Sequence, residues 1–187
     1  MASRIYQRRT WGRGRGPGAR ARARLGVALV LIVSFSGCGY TVRNSLPSHL
    51  KTLAIPVFAN NTVEFGLSDD VTRALVDAFL NNRQLKIVQE RDANAVLRGA
   101  VVAYKNQVFG YTSQERATQY EIVLTVQATF RDMVKNRDLW REDALTVRTT
   151  YNVVSVAGQP AQTELDGRKD VIQKLADQIV SRTVQGW

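Results

Sequence analysis

The sequence predicts an α+β two-layer sandwich, a mixed and mostly antiparallel sheet of about four strands packed by two amphipathic helices. Three observations carry that reading. A strand, a helix and a strand follow one another between Lys51 and Val108. Two further segments with period-two alternation lie between Tyr120 and Tyr151, and a second amphipathic helix follows Gly158 and Pro160.

In chain order, Lys51 to Phe58 reads as a short strand with Leu53, Ile55 and Val57 on one face. Pro56 cannot donate to a ladder and belongs at an edge or a bulge. Ala59, Asn60, Asn61 and Thr62 read as a turn. Ser68, Asp69 and Asp70 open the first helix, Ser68 as the cap for free N–H groups and the two carboxylates as complements to the helix dipole. Val71, Leu75, Ala78 and Phe79 form its apolar stripe, which Asn81 and Asn82 end. A short strand at Leu85 to Gln89 precedes a longer one from Ala93 to Val108, where Val96, Ala100, Val102 and Tyr104 favour β structure. A strand, helix and strand in that order pair in parallel through a right-handed crossover.

Phe109 to Thr118 is polar and contains glycine, which predicts a long hairpin loop with Phe109, Gly110 and Tyr111 as an aromatic tip. Tyr120, Ile122, Leu124, Val126, Ala128 and Phe130 then alternate with Glu121, Thr125, Gln127, Thr129 and Arg131, interrupted only by Val123. That is a half-buried strand. Asp132 to Asp138 makes a tight connection to a strand from Leu139 to Tyr151, with Leu145, Val147, Thr149 and Tyr151 on one face. In the last helix Val171, Leu175, Ile179 and Thr183 share a stripe that Ile172, Ala176 and Val180 widen, and Gly186 suits its end. Each helix is expected to cover a sheet face that would otherwise be wet.

The chain has 187 residues, 44% hydrophobic and 22% charged, which suits one domain of moderate size. Its net charge of +10 is unevenly placed. Eight arginines and no acid occupy the first 24 residues, whereas Cys38 to Trp187 carries 18 Lys plus Arg against 16 Asp plus Glu. A uniformly basic nucleic-acid-binding domain is thereby excluded, because its phosphate footprint belongs in the folded part. One cysteine and one histidine (His49) exclude an internal disulfide framework and a Cys and His zinc site within one chain. No run approaches the roughly 20 apolar residues of a spanning helix.

The arginine-rich start leads into an 11-residue apolar stretch from Leu25 to Phe35, the n-region and h-region of an export signal. Arg8, Arg9, Thr10 and Trp11 loosely resemble a twin-arginine signal, while simple n-region charge suits the general route, so the export route stays open. Ser36 and Gly37 before Cys38 resemble a lipobox, with Phe35 where the common pattern has Leu. The resemblance implies a signal at residues 1–37 that is cut between Gly37 and Cys38, with diacylglycerol and palmitate-type acylation on Cys38. Residues 38–51 then form the lipidated N-terminus and tether, and residues 52–187 a single α+β domain. Gly39 stands where an inner-membrane retention signal places Asp, which implies the outer membrane.

No nucleophile, base or metal arrangement with useful specificity is present in the sequence, and the reading is a non-enzyme without cofactor or metal. One candidate surface is a loop tip. Arg131, Lys135, Arg137 and Arg141 cluster about the Asp132 to Asp138 hairpin with Met133, Val134, Leu139 and Trp140 interleaved. Cations for phosphate and apolar groups for acyl chains suit an anionic lipid. Asp132, Asp138, Glu142 and Asp143 partly neutralise the cluster, so a merely solvated hairpin is the competing reading.

Taken in order, these segments resemble the LptE-type lipopolysaccharide-assembly outer-membrane lipoprotein family. The matching residues are Gly37 to Thr41, Leu53 to Phe58, Asn61 and Thr62, and Glu64 to Leu67. Further along come Thr72, Leu75, Ala95 to Gly99, Asp132, Leu139 and Trp140, then Leu175, Ala176, Ile179, Val180 and Trp187. Two departures stand out: Ser68 replaces a commonly acidic residue, and Asn136 or a neighbour replaces the glycine of the Asp132 hairpin. The resemblance implies a lipid-anchored outer-membrane protein facing the periplasm or a barrel lumen. It implies a plug and assembly partner for a large LptD-type β-barrel translocon that delivers lipopolysaccharide to the outer leaflet. Arg131, Lys135, Arg137 and Arg141 are then candidates for contact with lipopolysaccharide. The alternative is another outer-membrane lipoprotein of similar fold, a cell-wall synthase activator or a secretion-pore subunit. A tether of about a dozen residues reaches at most about 40 Å, which favours a partner at the membrane.

Overall fold

The computed structural model describes residues 46–156 and 158–185; the leader, Gly37, Cys38, the start of the tether, Gly186 and Trp187 lie outside the described residues. Six strands form one sheet rather than the expected four or so. In chain order they are β1 (Thr52–Ala54), β2 (Ala59–Asn60), β3 (Lys86–Ile87), β4 (Ala95–Tyr111), β5 (Ala117–Asp132) and β6 (Arg137–Asn152). The helices are α1 (Leu67–Asn82) and α2 (Glu164–Gln185). The sheet order is β3-β1-β4-β5-β6, with β2 also pairing β4. β1 pairs in parallel with β3 and β4, as the strand, helix and strand order requires, and β4, β5 and β6 form an antiparallel meander.

The expected strand from Lys51 to Phe58 is split. Pro56 has no N–H to give, and the ladder stops at Ala54 and resumes at Ala59 and Asn60, so these two residues are paired rather than a turn. Val57 faces solvent at 67% exposure while Phe58 is buried. The Phe58 N–H, free of the ladder, donates to Thr72 Oγ1 at 3.0 Å, and that hydroxyl donates to the Ser68 carbonyl at 2.7 Å. Thr72→Val removes the acceptor while keeping the shape. It is expected to cost about 1–2 kcal/mol in denaturant unfolding, the usual penalty for a buried N–H left unsatisfied.

Ser68 does not cap α1. The N-cap is Gly66, with φ of 73°, a left-handed conformation that favours glycine. The approach is fixed by Asn60, which donates to the Glu64 carbonyl at 2.8 Å and accepts from the Thr62 N–H at 3.0 Å. Asp69 and Asp70 do sit in the first turn, and Val71, Leu75, Ala78 and Phe79 are buried as the stripe requires. α2 begins with a reciprocal cap: the Asp166 N–H donates to Thr163 Oγ1, and the Thr163 N–H donates to the Asp166 carboxylate. The Thr163 N–H and hydroxyl, both donating to that carboxylate, hold the Asp166 carboxyl below its ordinary pKa.

β4 and β5 run further than expected. They pair from Ala95 with Asp132 to Tyr111 with Ala117, leaving only residues 112–116 as the loop and placing Phe109 and Tyr111 within the strand. Three bulges let the long ladder bend. Ile122, Leu124, Val126, Ala128 and Phe130 on β5 are buried beneath α1 and α2 together with Leu145, Val147 and Tyr151 on β6. Both helices lie on this one face rather than one on each, joined by an Arg168 to Asp70 ion pair at 2.9 Å. The opposite face, with Thr125, Gln127 and Thr129, carries no helix among the described residues, and its polar side chains suit water.

Candidate functional site

The end of the molecule where β1 begins and β5 ends brings together the approach to the domain and the basic hairpin. Leu46 to Lys51, the last part of the expected tether, lies against the domain. Leu50 is buried, its N–H donates to the Pro47 carbonyl, and the Lys51 N–H donates to Asn94 Oδ1. His49 Nε2 stands 2.7 Å from Asp132 Oδ2. The other Asp132 oxygen accepts the N–H groups of Val134 and Lys135, both at 2.9 Å. Asp132 is completely buried, so every one of these bonds replaces water. Burial pushes its carboxyl pKa up, but the bonds from Lys135, His49 and Val134 outweigh burial and hold it below the ordinary value.

The turn that follows is therefore rigid. The Met133 N–H donates to the Asn94 carbonyl at 2.8 Å, and Asn136 takes a left-handed φ of 50°. Asn tolerates that region because its short amide bonds locally. Behind the turn Trp140 packs on Phe130 at 6.1 Å between ring centres, and the Arg182 guanidinium lies 5.6 Å over the Trp140 ring while pairing with Glu142 at 2.7 Å. The end of α2 is thus fastened to the base of the hairpin.

The four expected lipid-contact cations separate into two kinds. Arg131 pairs with Asp138 at 2.8 Å and donates to Asn136, and Arg141 pairs with Asp143 at 2.8 Å. Lys135 and Arg137 make no side-chain ion pair or hydrogen bond among the described residues. They follow exposed Met133 and Val134, at 41% and 60% exposure, in the same turn. The tip thus offers two free cations and two apolar side chains on a fixed backbone. His49 and its bond to Asp132 gave no sequence signal, because the partners are 83 residues apart.

Elsewhere, a cleft of about 450 Å³ between α1 and α2 is lined by Asp70, Arg73, Asp77, Arg168 and Lys169 with Leu165, charges of both signs that largely pair with one another. Among the described residues no group of three His, Cys, Asp or Glu side chains could hold a metal ion, and no helix is long and apolar enough to cross a membrane.

A family model described as LptE, lipopolysaccharide-assembly, matches residues 50–183. No curated protein sequence matches this chain. Among solved structures, protein XCC0632 from Xanthomonas campestris is 12% identical, covers 76% of this chain and 91% of its own, and superposes with a TM-score of 0.52. It shares the fold. A minor lipoprotein from Acinetobacter baumannii is 24% identical, covers 71% of this chain and 91% of its own, and gives a TM-score of 0.47.

Proposed function

Because the chain belongs to the LptE lipopolysaccharide-assembly family, we propose that it is an outer-membrane lipoprotein serving as plug and assembly partner of a β-barrel translocon that delivers lipopolysaccharide to the outer leaflet. The family match over residues 50–183 is the observation that carries this reading. The protein acts by holding and shaping a partner, and no bond-breaking step belongs to it. Residues 1–37 are the signal, Cys38 carries the acyl chains after cleavage behind Gly37, and the domain faces the periplasm or the barrel lumen.

The packed approach segment supports a partner at the membrane. With Leu46 already against the domain, only seven residues lie between the anchor and the fold, eight Cα–Cα steps and at most about 28 Å of extended chain. That is shorter than the dozen residues counted from the sequence, and it disfavours an activator that works across the peptidoglycan layer. Lys135 and Arg137 are the cations left to meet phosphates of an anionic lipid, whereas Arg131 and Arg141 shape the hairpin.

Affinity purification of the tagged protein from detergent-solubilised outer membranes is expected to recover a large β-barrel protein; recovery of a peptidoglycan synthase in its place sinks the proposal. Cys38→Ser is expected to abolish incorporation of labelled palmitate and to leave a precursor that migrates above the wild-type protein in gel electrophoresis. Unchanged labelling or unchanged migration would remove the lipid anchor from the reading.

A further inference from the structure

We propose that the Asp132 hairpin is a second membrane contact: its tip, with Met133, Val134, Lys135 and Arg137, rests in the anionic phospholipid head groups of the same leaflet that holds the Cys38 acyl chains. The inference rests on the lipid anchor proposed above and adds to it the face that the domain turns to the membrane.

The first ground is position. His49, eleven residues after Cys38, bonds directly to Asp132, and Val134 is two residues further on. The described chain therefore begins at the end of the domain that carries this tip, beside the ends of α1 and α2. The opposite loop, residues 112–116, is separated from it by the whole of β5, whose 16 residues span about 50 Å at the rise of an extended strand. A tether of about 28 Å leaves that distant loop pointing away from the anchoring leaflet.

Chemistry is the second ground. A head-group layer offers phosphate oxygens at its surface and acyl chains just beneath, and the tip presents unpaired cations beside exposed Met133 and Val134. The remaining charges of the hairpin are already satisfied, Arg131 by Asp138 and Arg141 by Asp143, so no free carboxylate at the tip opposes an anionic surface. Rigidity is the third. Asp132 and Asn94 hold the backbone of the turn, so contact with lipid orders nothing but side chains.

The test uses the processed protein purified from outer membranes and reconstituted into phosphatidylcholine vesicles with or without phosphatidylglycerol. Cys38 is the only cysteine, and acylation blocks its thiol, so Val134→Cys carries a single site for an environment-sensitive dye. Ser113→Cys, exposed at the far loop, is the reference. In vesicles with phosphatidylglycerol the dye at position 134 is expected to shift to the blue and to be quenched by spin-labelled phospholipid, while the dye at 113 keeps its aqueous emission. Adding Lys135→Glu and Arg137→Glu should abolish the shift. Identical aqueous emission from both sites overturns the inference, as does a response at 134 that requires lipopolysaccharide in the vesicle and is absent with phosphatidylglycerol. A wild-type chain that itself takes up the dye has an unacylated Cys38 and overturns the anchor, a failure read separately from that of the hairpin.

Discussion

Asp132→Ala is expected to destabilise the domain by about 3 kcal/mol, because it strips three partners of their acceptor inside a site closed to water. The N–H groups of Val134 and Lys135 lose the oxygen that fixes the turn, and His49 loses the bond that holds the approach segment against the sheet. Denaturant unfolding should show the loss as a lower midpoint, and amide exchange at Val134 and Lys135 should quicken beyond what the global change explains. Asp132→Asn keeps one oxygen for the two N–H groups and an amide facing His49, so it should cost about 1 kcal/mol. The pH dependence separates charge from shape. The folded carboxyl lies below its ordinary pKa, so its extra stability is present above the unfolded value of about 3.9 and is lost as pH falls through the folded one. The gap between wild type and Asp132→Asn should therefore narrow in that acid range. An Asp132→Ala protein with the wild-type midpoint would show that this cluster contributes nothing.

The part of this architecture legible in the sequence is the part set by one-sided burial. Strand β5 reads correctly because Ile122, Leu124, Val126, Ala128 and Phe130 must all enter one core, and period two leaves them no other arrangement. The placement of the helices was misread: one helix was expected on each face, although the polar Thr125, Gln127 and Thr129 on the opposite face leave only one dry face for both. What escaped notice depends on distant partners. The start of α1 is decided at Gly66 by the Asn60 loop rather than by the capping chemistry of Ser68. The extra length of β4 and β5 comes from cross-strand bonding through Gly110, where composition suggested a loop. The basic cluster was visible, but its division into spent and free cations needed the positions of Asp138, Asn136 and Asp143.

Gly99→Ala is the other change with a large expected effect, because the new methyl has nowhere to go. Gly99 lies opposite Ala128 in the β4 and β5 register, on the face covered by Phe58. A Cβ there would overlap both the Phe58 ring and the main-chain carbonyl of Gln127, closer than real Cβ atoms approach. The ring is fully buried and the Phe58 N–H is held by Thr72, and the carbonyl belongs to β5, which β4 and β6 pair on either side, so neither can retreat without moving the ladder. Overpacking of this kind costs about 3 kcal/mol, which for a domain of this size lowers Tm by about 6–12 °C. Phe58→Leu in the same chain should recover only part of the loss, since it relieves the ring and leaves the carbonyl. Gly167→Ala in α2 is the informative contrast. Its Cβ would lie 2.6 Å from Cδ1 of the buried Tyr151 ring and 3.0 Å from the end of the buried Ile122, so the ring must be displaced, but no main-chain carbonyl stands in the way and alanine favours a helix over glycine by about 1 kcal/mol. Calorimetry should therefore place Gly167→Ala below wild type and Gly99→Ala lower still. Equal losses from the two would mean that the carbonyl of β5 yields as readily as a side chain, and the close approach at Gly99 would lose its meaning as the reason for glycine there.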